Sequence, residues 1–169
     1  MDDPRESLIQ ECKRQEDSCL HTSTSLFIWL RVLRYLHAAS IVLPLILSGI
    51  AGWKMLGTVD SDAIRWTAGT CALLAGLIPS VFSALKFDDH LSLCKLLAAE
   101  FKNLQDRFRQ LAVTGVGKTF EQVETEFRPL ADRLEKARSY SYTAPEWAFK
   151  CAQKKIRAGD YDFDVDKKD

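Results

Sequence analysis

The sequence predicts an all-α membrane protein with an N-terminal cytosolic helix, a two-span transmembrane helical hairpin and a cytosolic helical hairpin or coiled coil. Two observations predict the spans: Trp66–Leu85 is a run of twenty residues without a charge, and Tyr35–Trp53 is a run of nineteen. A third is the alternating spacing of three and four between apolar residues after position 94, which is typical of packed helices. We assign residues 1–34 to an N-terminal helical segment, 35–86 to the hairpin, 87–157 to the cytosolic helical hairpin and 158–169 to a flexible acidic tail.

The N-terminal segment begins with a helix-start signal. In "DPRE", Asp3 can cap the helix, Pro4 suits its first turn and Glu6 completes a capping-box pattern. We expect this helix to run from Pro4 to Cys19. The polar stretch "HTSTS", residues 21–25, then interrupts it, and a new helix starts near Leu26 and enters the membrane.

The two predicted spans cover about residues 35–56 and 66–85. Twenty helical residues rise about 30 Å, which is the thickness of a bilayer's hydrocarbon core. A helix of a soluble bundle would show a polar face, and neither run has one. The short link between them predicts an antiparallel hairpin. Four basic residues flank its terminal side and two its loop side, so the positive-inside rule places both termini in the cytoplasm.

Small residues recur every four positions in both spans. Such spacing lets membrane helices approach closely, either within one chain or between chains, and the sequence leaves both open. Three further polar residues and two prolines could line a pore or act as hinges. The candidate packing residues are Ala68, Ala72, Gly76, Ser80 and Ala84 in the second span and Ser48 and Gly52 in the first. The candidate pore-lining or hinge residues are Ser40, Thr70, Ser83, Pro44 and Pro79.

The cytosolic helical hairpin is predicted from two seams of apolar residues joined by "VTGVGK". We expect its first helix to continue from the second span without a break, and Pro129 to bend or split its second helix near Phe127. Packing within one chain is favoured over an intermolecular coiled coil. A short helix follows at about Pro145–Ile156. The seam residues are Leu97, Phe101, Leu104, Phe108, Phe127, Leu130 and Leu134.

Composition and motifs argue against several functional classes. Lys and Arg together number 23, as do Asp and Glu, so the chain lacks the basic excess of nucleic-acid binders. Five cysteines without a CxxC pair argue against a disulfide framework or a zinc site. "GVGKT" lacks the first glycine of a phosphate-binding loop, since Ala112 stands there. We therefore expect no enzyme activity, no metal and no cofactor.

The chain resembles the SLATT family, two-transmembrane effector domains associated with SMODS and SLOG proteins. The resemblance lies in "FIWLRVLRYLHAASIVLPLILSGIAGW", in "LKFDDH" after the second span, in "LCKLLAAEFKNLQDRF" and in "PEWAFKCAQKKI". It implies an effector of a bacterial anti-phage system in the inner membrane. Such an effector forms an oligomeric pore or disrupts the membrane on a nucleotide-linked signal, and causes cell death or dormancy.

The partners implied are membrane lipid, further copies of the chain, and a nucleotide-signalling enzyme or sensor protein. The alternative function is a passive membrane anchor or scaffold whose cytosolic coiled coil binds a partner protein. Nucleic acid is not an expected partner.

Overall fold

A computed structural model describes residues 3–56, 62–140 and 142–161. It contains five α-helices: α1 (Pro4–Leu56), α2 (Asp62–Ala84), α3 (Phe87–Thr114), α4 (Phe120–Ser139) and α5 (Glu146–Arg157). A 3₁₀ turn, Gly115–Gly117, lies between α3 and α4. No strand occurs within the described residues, so the predicted all-helical class is confirmed. The predicted loop residues 57–61 and most of the predicted tail lie outside the described residues.

The predicted break at residues 21–25 is wrong, because α1 runs through them as one helix. Three hydroxyl groups of this stretch donate hydrogen bonds to carbonyl oxygens of the preceding turn. Thr22 bonds to Ser18 at 2.9 Å, Ser23 to Leu20 at 3.1 Å and Ser25 to Thr22 at 2.8 Å. Since each hydroxyl finds its acceptor inside the helix, the polar run does not have to end it.

The prolines inside helices do not divide them. Pro44 lies within α1, Pro79 within α2 and Pro129 within α4. The predicted split of α4 near Phe127 is therefore wrong. The start of α4 agrees with its sequence signal, since the Thr119 backbone N–H donates to Oε1 of Gln122 at 3.0 Å.

The chain forms two compact units. The first, which we call the bundle, holds the described residues up to Leu30 and from Leu93 onward. Its core comes from the N-terminal part of α1, most of α3, α4 and α5. Phe108 packs on Phe127 with ring centroids 5.9 Å apart, and Arg133 binds both carboxylate oxygens of Glu100 at 2.8 and 3.1 Å.

The second unit, which we call the hairpin unit, holds the described residues between Arg31 and Ser92. It contains the apolar part of α1, all of α2 and the first turns of α3. The predicted unbroken continuation of the second span is wrong, because α2 ends at Ala84 and α3 begins at Phe87. Lys86 between them has φ = 48°, a left-handed conformation that an α-helix cannot contain. Its backbone N–H donates to the Ser83 carbonyl at 3.0 Å, which closes the end of α2.

Candidate functional site

The apolar surface of the hairpin unit is the first feature that bears on function. An 18-residue stretch of α1 has a mean hydropathy of 1.7 and one of α2 has 1.5, and only 11% and 6% of these stretches are buried. Both helices are therefore long and apolar enough to cross a membrane. The side chains at least half exposed include Ile41, Val42, Leu45, Ile46, Leu73, Leu77 and Val81.

A soluble protein would bury such side chains in its core, and here they face outward. Trp53 and Trp66, at the far ends of the two apolar runs, are 82% and 78% exposed. Indole rings with this exposure at the ends of an apolar run are typical of the membrane–water interface. The unit is thus apolar outside, with amphipathic aromatic rings where the apolar surface ends.

Within the hairpin unit, burial marks the line along which each helix packs. On α1 the buried residues are Leu33, Ser40, Pro44 and Ala51. On α2 Ala68 is buried and Cys71, Ala75, Ile78 and Phe82 are half-buried. Their spacing of three and four is that of one helix face. We call these five residues of α2 the packing line.

The small-residue ridge of α2, which comprises Ala68, Ala72, Gly76, Ser80 and Ala84, lies mostly on another side of the helix. Ala68 is buried, whereas Ala72, Gly76, Ser80 and Ala84 are exposed. A Cβ placed on Gly76 would meet no atom within 4 Å. The same holds for Gly52, and Ser48 is also exposed. The ridge thus provides little of the packing within this chain.

Four hydroxyl groups of the two apolar stretches donate hydrogen bonds to carbonyl oxygens of their own helices. Ser40 donates to the His37 carbonyl at 2.7 Å, and Thr70 to that of Trp66 at 2.8 Å. Ser48 and Ser80 make equivalent bonds of 3.0 Å to Leu45 and Gly76. Of the other candidate pore-lining or hinge residues, Pro44 is buried and Pro79 and Ser83 are exposed.

A cluster that sequence analysis missed lies where α2 gives way to α3. The Nδ1 atom of His37 is 3.2 Å from a carboxylate oxygen of Asp88. The His37 ring is parallel to the Phe87 ring, with centroids 6.3 Å apart. The centroids of the Phe87 and Phe82 rings are 5.0 Å apart. These contacts join the first apolar helix to the start of α3. Nothing in the sequence pairs His37 with residue 88, because the two lie 51 positions apart.

In the bundle, the structure places the predicted seam residues at or near the core. Leu97, Phe101, Leu104, Phe108 and Leu134 are buried, and Phe127 and Leu130 are half-buried. The N-terminal part of α1 contributes a third seam, with buried residues at Ile9, Cys12, Cys19, Ser23, Leu26 and Leu30. Sequence analysis missed it because Glu16 and Ser23 occupy two of its positions. The three-and-four spacing from residue 9 to residue 30 was the available signal.

Burial makes the three core cysteines of the bundle poor nucleophiles. It raises the pKa of Cys12 and of Cys19 to about 11. The Sγ atom of Cys94 lies 3.6 Å from the Leu26 carbonyl oxygen, and burial raises its pKa as well. All three thiols therefore stay protonated near neutral pH and act as small core side chains.

An aromatic group in the bundle, also missed from the sequence, joins α5 to α1. Trp29 Nε1 donates to the Tyr142 hydroxyl at 3.1 Å. Trp147 meets the Trp29 ring edge-on, with centroids 5.8 Å apart and planes at 76°. Burial raises the Tyr142 pKa to about 12, so this phenol remains a neutral hydrogen-bonding group. The group fixes the start of α5 against α1.

No group of three or more His, Cys, Asp or Glu residues suited to a metal ion occurs among the residues that the structure describes. Comparison of the chain with protein-family models, with curated proteins and with solved structures gives no match. Functional inference therefore depends on the exposed apolar hairpin unit, its small-residue ridge and the bundle.

Proposed function

We propose that the chain is a membrane effector whose two-span hairpin assembles into an oligomer that opens a pore in the bilayer or disrupts it. One observation supports the proposal above all others: four small residues of α2 are exposed on a helix long and apolar enough to cross a membrane. In the proposed arrangement the hairpin crosses the inner membrane, both termini lie in the cytoplasm, and the bundle is cytosolic.

The ridge suits a contact between copies of the chain. Lipid tails are as apolar as leucine, so membrane helices associate through close packing, which small residues permit. Gly76 has open space where a side chain would be, and Ala72 and Ser80 lie one turn to either side. A second copy of α2 is the simplest partner of matching shape, because its ridge offers the same close approach.

The hydroxyl groups favour a gate that is apolar when closed. Because four of them already donate to carbonyls of their own helices, an assembled lining exposes few free polar groups. Pores of this type open by wetting of a hydrophobic constriction. Opening requires a signal, and the bundle is the element we propose to receive it from a nucleotide-signalling enzyme or sensor protein.

The resemblance to SLATT proteins supplies the biological setting of the proposal. It implies a bacterial anti-phage system in which activation of the effector ends in cell death or dormancy. The scaffold function remains the alternative, in which the bundle binds a partner protein and the hairpin only anchors it.

Gly76→Leu tests the proposed interface, with Gly49→Leu as the matched control. Gly49 is also an exposed glycine of an apolar stretch with no atom within 4 Å of a Cβ, but it lies in α1 and outside the ridge. Both variants should insert as well as the wild type, since leucine is more apolar than glycine. We expect Gly76→Leu to abolish dye leakage from proteoliposomes and to lose the cross-linked oligomer, and Gly49→Leu to retain both.

The result also separates the two functions. An effector loses leakage and toxicity with Gly76→Leu, whereas a scaffold shows no leakage in either variant and still binds its partner. A well-expressed Gly76→Leu protein that permeabilises vesicles at the wild-type level would refute the ridge interface.

A further inference from the structure

The outward face of α5 combines basic and aromatic side chains. Ala148 and Ala152 are buried against the rest of the bundle, so they define the inner face of this helix. Trp147, Lys150, Cys151 and Lys154 are exposed at positions i, i+3, i+4 and i+7 and therefore share one face of it. We call these four residues the outer face of α5.

The charges of α5 are mostly positive. The helix carries Lys150, Lys154, Lys155 and Arg157 but only one acid, Glu146, which pairs with Lys150 at 2.7 Å. Lys155 lies 3.7 Å from Asp160 just beyond the helix. The chain as a whole is neutral, so this local excess of positive charge is a property of α5 and not of the composition.

The aromatic contacts place the start of α5 beside a part of α1 that immediately precedes the first apolar run. Trp147 packs on Trp29, and Trp29 is six residues before Tyr35 in the same helix. Phe27, two residues before Trp29, is 44% exposed.

We infer that α5 lies on the cytoplasmic membrane surface and that its outer face binds anionic phospholipid headgroups. Lysine ammonium groups attract the negative headgroups, and the exposed Trp147 ring suits the boundary between headgroups and acyl chains. An amphipathic helix with basic and aromatic residues on one face binds membranes in this way. The inference rests on the membrane insertion in the proposed function, and it adds a lipid class and a binding surface to it.

A fluorescence experiment on the full-length protein tests the inference. Cys151 is exposed, whereas Cys12, Cys19 and Cys94 are buried, so a Cys71→Ser variant can be labelled with NBD at Cys151. The labelled protein is placed in nanodiscs of phosphatidylcholine with or without phosphatidylglycerol. We expect phosphatidylglycerol to shift the NBD emission to the blue and to protect the dye from dithionite, and high salt to reduce both effects.

Charge variants identify the surface responsible. Lys150→Gln/Lys154→Gln should lose the blue shift, whereas Lys13→Gln/Lys136→Gln, which removes the same charge from exposed positions elsewhere in the bundle, should keep it. Emission that is equal in the two nanodiscs, or that shifts equally in both double variants, would overturn the inference. A blue shift caused by a soluble protein partner but not by phosphatidylglycerol would assign the outer face to that protein and overturn it too.

The design separates this inference from the proposed function. A protein that inserts into nanodiscs but shows no response to phosphatidylglycerol contradicts the lipid surface alone. A protein that does not copurify with nanodiscs contradicts membrane insertion, and the inference on lipid with it.

Discussion

Two neighbouring leucines of α3 offer a direct test of the bundle core. Leu97 is 1% exposed and Leu96 is 56% exposed, although they are adjacent in one helix and chemically identical. Leu→Ala removes three carbon atoms in either case. At about 0.8 kcal/mol for each buried carbon group, the transfer loss at Leu97 is about 2.4 kcal/mol. The cavity left behind raises the total to about 3–5 kcal/mol.

At Leu96 the same three carbons are largely in contact with solvent already, so the loss should stay below about 1 kcal/mol. We expect thermal unfolding in detergent, followed through tryptophan fluorescence and size-exclusion chromatography, to show a large drop in melting temperature for Leu97→Ala only. Equal effects of the two substitutions would refute the assignment of Leu97 to the core. A larger effect at Leu96 would mean that the outward side of α3 is the packed side.

Three further predictions concern the cysteines and the topology. At pH 8, iodoacetamide should modify Cys151 in the native protein and reach Cys12 and Cys19 only after denaturation, as read by mass spectrometry. Because burial raises both pKa values from 9.0 to about 11, folding favours the protonated thiols, so their contribution to stability is complete below pH 9 and is lost as the pH rises towards 11. The melting temperature should fall over that interval, and by less in a Cys12→Ala/Cys19→Ala variant. Protease added to inverted inner-membrane vesicles should remove both termini and spare residues 35–86, whereas recovery of the protein in the soluble fraction without detergent would contradict the topology.

The features that could be predicted from the sequence are those that depend on composition over many residues. The two uncharged runs span nineteen and twenty residues and the two apolar seams together have seven positions, so a single exceptional residue does not hide them. The structure accordingly contains two helices long and apolar enough to cross a membrane, and the seam residues Leu97, Leu104 and Phe108 are buried.

Features that depend on one or two residues were not predictable in the same way. The hydroxyl groups of Thr22, Ser23 and Ser25 donate hydrogen bonds to carbonyl oxygens inside α1, although serine and threonine are also typical of helix starts. Conversely, the end of α2 depends on a left-handed Lys86, where the sequence offers no glycine or asparagine to signal it. Asp88 lies two residues after that break, so the pairing of His37 with Asp88 could not be predicted before the break was known.

The orientation of the small-residue ridge follows from helix geometry. A residue four positions on is rotated by about 40° around a helix of 3.6 residues per turn, so a strict repeat of four drifts steadily around the axis. Five such residues cover about 160°, which exceeds the arc that one neighbouring helix contacts. Ala68 thus belongs to the packing line and is buried, and Ala72, Gly76 and Ser80 turn progressively away from it. A repeat of alternating three and four drifts far less, which is why Cys71, Ala75 and Ile78 remain on the inner side. Most small residues of α2 therefore lie outside the packing line, and in the proposed oligomer Gly76 is where a second copy of the helix would approach most closely.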